Sequence, residues 1–85
     1  MWVYEDDFMI VKKVLGDIKT NSQNHVKRIQ LVTWKNKNSD LLELDMRRYS
    51  IKEDKYSKGI SFTGIEIRDL LKILQENSDE IKEHI

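Results

Sequence analysis

The periodicity of apolar residues changes once along this 85-residue chain, at Thr63. Before that point, β-branched, aromatic and other apolar residues alternate with polar ones in short runs, which is typical of strands. After it, apolar residues recur at intervals of three and four, which is typical of an amphipathic helix: Ile67, Leu70, Leu71 and Leu74. The order predicts an α+β protein in which a twisted four-stranded antiparallel sheet precedes one C-terminal helix.

Four segments carry the strand pattern, and they span residues 8–18, 25–35, 41–48 and 58–62. In the third, apolar and charged residues alternate, with Leu42, Leu44 and Met46 set against Glu43, Asp45 and Arg47. Clusters of turn residues over 19–24 and 35–40 separate the first three strands. Residues 50–57 are charged and irregular, which predicts a surface connection of the kind that often closes over ligands.

The helix has a recognisable start and end. Thr63 followed three residues later by Glu66 is the pattern of a capping box, which predicts that the helix begins directly after the fourth strand. Asn77 and Ser78 are expected to interrupt it and to leave residues 79–84 as a final turn. The pattern assigns no position to Trp2 or Tyr4.

The length predicts a single domain over residues 1–85 with a thin core, for which dimerisation is a natural support. The longest apolar run is only four residues, 8–11, so neither a membrane span nor a signal peptide is expected. Without cysteine there is no disulfide framework and no thiolate metal site. The expected location is the cytoplasm, at the nucleoid if the source is a bacterium.

The formal net charge of zero is a cancellation between segments. Residues 1–10 and 63–85 each carry a net charge of −3, whereas residues 11–62 carry +6. A basic central segment is compatible with a surface that binds a polyanion, and equally with an ordinary solvated face.

No pattern of catalytic residues is present. The two histidines, His25 and His84, have no carboxylate at metal-ligand or catalytic spacing, and the three glycines form no phosphate-binding loop. The sequence therefore predicts no enzyme activity, no metal site and no cofactor.

Arg47 and Tyr49 lie two residues apart and share one face of the third strand with Glu43 and Asp45. A guanidinium and a phenol on one open sheet face can hold a phosphate and stack a base. The same Arg47 can equally belong to a ladder of surface ion pairs with cross-strand carboxylates.

The second strand leaves two choices open. Lys27 and Lys35 share one of its faces, whereas Arg28 and Trp34 share the other, so only one pair can meet a ligand. Trp34 is either a core aromatic or a base-stacking platform.

Two stretches carry a resemblance to a known family. LLELDMRRY over 41–49 and SKGISFTGIEIRDLLKIL over 57–74 resemble the single-stranded DNA-binding domain of the transcriptional positive cofactor four family. The upstream stretch IVKKVLGDIKTNSQNHVKRIQLVTW resembles the bacterial YdbC-like branch of that family, and the match covers roughly residues 8–75. The chain departs from the family pattern at Ser50 and Ser57, where members often carry a second aromatic and a further basic residue.

The resemblance implies a homodimer of twisted sheets that binds unpaired DNA through phosphates and stacked bases. It places the family's nucleic-acid contacts at Arg47, Tyr49, Lys58 and Gly59, and the basic residues around its second hairpin at Lys35 and Lys37. Trp34 joins them as a possible stacking platform.

The predicted function is therefore sequence-tolerant binding of single-stranded DNA, as a transcriptional coactivator or regulator or as a protector of single strands. The partners expected are single-stranded DNA, a second copy of the chain, and the transcription or replication machinery. Two alternatives remain open: a protein-interaction β-module, and a binder of single-stranded RNA.

Overall fold

Five strands pair in sequence order, each antiparallel to the next, and two short helices follow. The computed structural model describes residues 3–37 and 41–84. The elements are β1 (Tyr4–Glu5), β2 (Met9–Lys19), β3 (His25–Trp34), β4 (Glu43–Ser50), β5 (Lys55–Phe62), α1 (Gly64–Glu76) and α2 (Ser78–Lys82).

The sheet curls so that its two edge strands meet on one side. Tyr4 of β1 and Tyr56 of β5 lie in edge-to-face contact with ring centroids 4.8 Å apart, although their strands are at opposite ends of the sheet. We call the concave side the inner face and the opposite side the outer face. The small core lies on the inner face and consists of Met9, Val11 and Val32.

The α+β class and the antiparallel sheet before a C-terminal helix are confirmed, but the prediction of four strands was wrong. The fifth strand is β1, which places Tyr4 opposite Val11. A strand of two residues is too short to show any alternation in sequence. The predicted loop over 50–57 is also shorter than expected, because Tyr49 pairs with Tyr56 and Ser50 with Lys55.

The charged side of β4 faces inward and is covered over the first half of the strand, so it is not open along its whole length as expected. Asp45 is fully buried and Glu43 is 7% exposed, whereas Leu44 and Met46 on the outer face are only half-buried. Around Glu43 and Asp45 the inner face is covered, because the neighbouring strands place their buried apolar residues there. Alternation along β4 separates its two faces without telling which one the rest of the sheet covers.

The predicted helix boundaries are confirmed. The carboxylate of Glu66 accepts a hydrogen bond from the backbone N–H of Thr63 at 2.8 Å, as in a capping box, and a further one from the Thr63 hydroxyl at 3.0 Å. The break falls at Asn77, whose side-chain amide donates to the carbonyl of Ile73 at 2.8 Å. Beyond it, α2 spans Ser78–Lys82, so the final turn predicted over 79–84 begins one residue earlier, and Ser78 belongs to it instead of interrupting the helix.

Two interruptions mark the long strand β2. Its register against β3 shifts between Val11 and Lys13 and again between Val14 and Gly16, as at β-bulges. The short β1 pairs only with Ile10 and Val11 of this strand. Of the other expectations, Trp2 and part of the predicted turn over 35–40 lie outside the described residues.

Candidate nucleic-acid interface

The inner face carries most of the residues predicted to contact nucleic acid. Arg28 lies directly opposite Arg47 across β3 and β4, and Val26 lies opposite Tyr49 on the same face. Because side chains alternate along a strand, Trp34 and Tyr49 also point to this face. The Arg28 and Trp34 side of β3 therefore joins Arg47 and Tyr49, whereas Lys27 lies on the outer face.

Asp45 is the centre of a hydrogen-bonded network on this face. Its carboxylate accepts bonds from the Gln30 amide at 2.9 Å and the Ser61 hydroxyl at 2.7 Å. The Arg47 guanidinium donates to both of its oxygens at 2.8 Å. A carboxylate with no exposed surface needs such compensation, because burying an unpaired charge is costly. Arg47 thus forms its ion pair within its own strand, not with a cross-strand carboxylate.

A second guanidinium, that of Arg28, lies on the same face. It binds Asp17 through two hydrogen bonds of 2.7 and 2.9 Å and donates to the Tyr56 hydroxyl at 3.2 Å. The bonds from Arg28 hold the pKa of the Asp17 carboxyl below its ordinary value. The Tyr56 hydroxyl donates in turn to Gln30 at 3.0 Å, which connects the network from Asp17 to Asp45.

Both guanidinium groups lie over aromatic rings. The central carbon of Arg28 is 3.9 Å from the centroid of the Tyr49 ring, and that of Arg47 is 5.1 Å from the Trp34 ring. Tyr56 contacts Tyr49 with centroids 4.8 Å apart. The inner face therefore presents two guanidinium–aromatic stacks side by side, each held in place by a carboxylate.

The three tyrosines of the chain keep their protons well above neutral pH. Burial, followed by the hydrogen bond to Asp6, raises the pKa of Tyr4 to about 12. The hydrogen bond to Asp54, followed by burial, raises the pKa of Tyr49, and burial raises that of Tyr56. Their hydroxyls are therefore hydrogen-bond donors under physiological conditions.

The predicted lysines of the second hairpin are also paired with acids. The Lys35 ammonium lies 2.6 Å from the Glu5 carboxylate, which joins the end of β3 to β1. Lys37 pairs with Glu43. With Arg28 and Arg47 bound to Asp17 and Asp45, all four of these cations have a carboxylate partner. The two guanidinium groups of the inner face are therefore each neutralised by a carboxylate of the protein.

Lys58 and Gly59, predicted as a binding pair, point to opposite faces. Gly59 lies opposite Arg47 on the inner face, and the alternation of β5 therefore places Lys58 on the outer face with Ile60. A cavity on the outer face is lined by Lys58 together with Ile29, Met46 and Arg48. Lys58 and Tyr49, which the sequence analysis placed in one binding site, therefore lie on opposite faces of the sheet.

Sequence reasoning missed the contributions of Asp17, Gln30 and Tyr56 to the network. Their sequence separations from their partners range from 11 to 28 residues. Only the register between strands brings such residues together, and register is not visible in the alternation of a single strand.

Comparison with models of known protein families and with curated protein sequences gave no match. None of the helices in the described ranges is both long and apolar enough to cross a membrane. Over residues 3–37 and 41–84, no group of three or more His, Asp or Glu side chains is arranged to hold a metal ion.

Proposed function

We propose that this protein binds single-stranded DNA without sequence preference, with bases stacked on the inner face. The observation that supports it most is the pair of guanidinium–aromatic stacks, Arg28 over Tyr49 and Arg47 over Trp34. Unpaired bases stack on aromatic rings and on the planes of guanidinium groups, and every base has such a face to offer. Duplex DNA does not, because its bases are stacked within the helix.

The carboxylates of Asp17 and Asp45 hold the guanidinium groups of the two stacks in fixed orientations. A guanidinium bound at two points by Asp17 or Asp45 stays in one orientation, so less freedom is lost when a base packs against it. The half-buried Trp34 and Tyr49 supply large rigid surfaces beside them. Such a surface does not read base edges and does not distinguish sugars, so single-stranded RNA is the alternative ligand.

A titration of labelled oligonucleotides with a Tyr49→Leu variant tests this proposal. Wild-type protein should bind a single strand more tightly than a duplex of the same length. Tyr49→Leu should weaken single-strand binding about 5- to 150-fold, since stacking contributes about 1–3 kcal/mol per base. DNA and RNA oligomers of equal length, titrated in parallel, identify the preferred sugar.

The matched control is Phe8→Leu, which removes an aromatic ring that is 72% exposed and precedes β2. It should leave binding unchanged. Equal affinity of the wild type for single strands and duplex, or equal binding by Tyr49→Leu and Phe8→Leu, would contradict the stacking surface.

We further propose that the working unit is a homodimer formed through α1. No residue of this helix is buried, and its apolar residues include Ile65, Leu71, Ile73 and Leu74 with exposures of 76, 52, 57 and 47%. Exposed apolar area of this kind marks an interaction site, and a second copy would cover it while enlarging a small core.

Sedimentation measurements should give a particle of twice the 10.2 kDa of one chain. Replacing both Leu71 and Leu74 with Glu should yield the monomer, because two charges cannot be buried at an apolar interface without partners. Replacing Lys72 with Glu should leave the dimer intact, since this side chain is 72% exposed. A monomeric wild type that binds no oligonucleotide would instead support the protein-interaction module, with α1 as its docking surface.

A further inference from the structure

The outer face holds a basic groove that the predicted site does not include. Two cavities meet there, since Lys27 and Arg48 line both of them. One continues along Ile29, Met46 and Lys58, and the other ends at the β2–β3 turn. Lys27, Arg48 and Lys58 are all exposed and lie on the adjacent strands β3, β4 and β5. We call this row of three cations and its cavities the basic groove.

Lys27 and Arg48 lie directly opposite each other across β3 and β4. Like charges in this position destabilise a sheet, because the two side chains are close neighbours on one face. Among the described residues, no carboxylate lines either cavity. The fold therefore keeps a repulsive pair of cations without an internal counterion.

The next pair along the same two strands provides a comparison within the molecule. Arg28 and Arg47 are also directly opposite each other, but on the inner face, and each is bound by a carboxylate, Asp17 or Asp45. The sheet thus neutralises one of two adjacent cation pairs and leaves the other to solvent. A ligand anion is the natural counterion for the second pair.

We propose that Lys27, Arg48 and Lys58 bind the phosphodiester backbone of a nucleic-acid strand in the basic groove. This inference rests on the proposed function and adds to it a separate phosphate site. The strand would pass from the inner face to the outer face past β5, which places Tyr56 on the inner face and Lys58 on the outer face. Base stacking and phosphate binding are then divided between the two sides of one sheet.

The groups at the end of the groove fit this ligand. The β2–β3 turn contributes the exposed Asn21, whose side-chain amide is of the kind that contacts phosphate oxygens. The apolar floor formed by Ile29 and Met46 suits the sugar carbons between phosphates. Counterion release from three phosphate contacts would also give the salt dependence that the neutralised inner face cannot supply.

The test compares the double variant K27Q/R48Q with K72Q/K82Q, which removes the same charge from the helices. Each is titrated over a salt series with an oligodeoxynucleotide and with an abasic oligomer of the same length. K27Q/R48Q should bind both oligomers more weakly, with a slope of log K against log salt smaller by about 1.4, from about 0.7 per phosphate contact. Its thermal stability should not fall, because a repulsive pair has been removed.

The outcomes separate this inference from the proposed function. If wild-type protein binds no oligonucleotide, both fail. If it binds, and K27Q/R48Q behaves like K72Q/K82Q, the basic groove is overturned while the stacking surface stands. Weaker binding of the abasic oligomer by K27Q/R48Q, but not by Tyr49→Leu, supports the groove. Binding to phosphatidylserine vesicles that K27Q/R48Q abolishes, without binding to oligonucleotides, would overturn it in favour of lipid headgroups.

Discussion

Replacing Asp45 with alanine is expected to lower the free energy of unfolding by about 3–5 kcal/mol, the usual cost of removing one partner from a buried ion pair. The carboxylate has no exposed surface, and the Arg47 side chain that it binds is only 13% exposed. The change would leave that guanidinium without its counterion. The Gln30 amide and the Ser61 hydroxyl would lose their acceptor as well.

Urea denaturation followed by circular dichroism measures this effect. The control is Asp69→Ala, which removes a carboxylate from the exposed surface of α1 and should change stability by less than about 0.5 kcal/mol. Similar urea midpoints for Asp45→Ala and Asp69→Ala would contradict the central role of Asp45. The same coupling makes Arg47→Ala a poor test of nucleic-acid binding, because it leaves the Asp45 charge buried and unpaired.

Gly59→Ala should destabilise the protein by about 3 kcal/mol, at the upper end of the usual cost of overpacking. A Cβ at this position would overlap the Cβ of Arg47 and the carbonyl oxygen of Met46, and would lie 2.9 Å from the Cα of Arg47. Because these neighbours belong to the backbone of β4 or are fixed to it, no side-chain rotation relieves the overlap. The pairing of β4 with β5 must shift instead.

Gly16→Ala is the matched control, since it makes the same change in a strand where no atom lies within 4 Å of the added Cβ. It should alter the free energy of unfolding by less than about 0.5 kcal/mol. If Gly59→Ala and Gly16→Ala unfold at similar urea concentrations, the close approach of β5 to Arg47 is contradicted. The expected contrast gives Gly59 a packing role that needs no contact with nucleic acid.

Periodicity predicted four of the five strands and the main helix, but neither β1 nor the curvature of the sheet. The helix start at Thr63 and the break at Asn77 follow from local hydrogen bonds, so the sequence was sufficient for them. The direction in which the sheet curls depends on side chains from several strands. Met9, Val11 and Val32 bring the core to the side of Asp45, and nothing within β4 indicates this.

The candidate site was predictable to the same extent. Alternation grouped Arg47 with Tyr49 on one face of β4. It could not indicate the carboxylate partner of Lys35, because that partner, Glu5, belongs to a different element, β1. Asp17 forms an ion pair with Arg28 because the register of β2 against β3 places the two residues opposite each other. The register shift between β4 and β5 near Arg48 determines which face Lys58 lies on. A bulge of one residue leaves no signal in the amino-acid composition of a strand, so the sequence did not predict this shift.

The two bulges of β2 also bear on how copies of this chain can associate. Among the described residues, the outer edge of this strand pairs with β1 at Ile10 and Val11 alone, and an edge such as that of residues 14–19 is a site where a strand from another molecule can pair. Register shifts at Lys13 and Gly16 twist that edge away from the regular geometry that continuous pairing between molecules requires. These shifts are therefore consistent with the homodimer proposed through α1, which is a closed pair, and disfavour growth of the sheet from chain to chain.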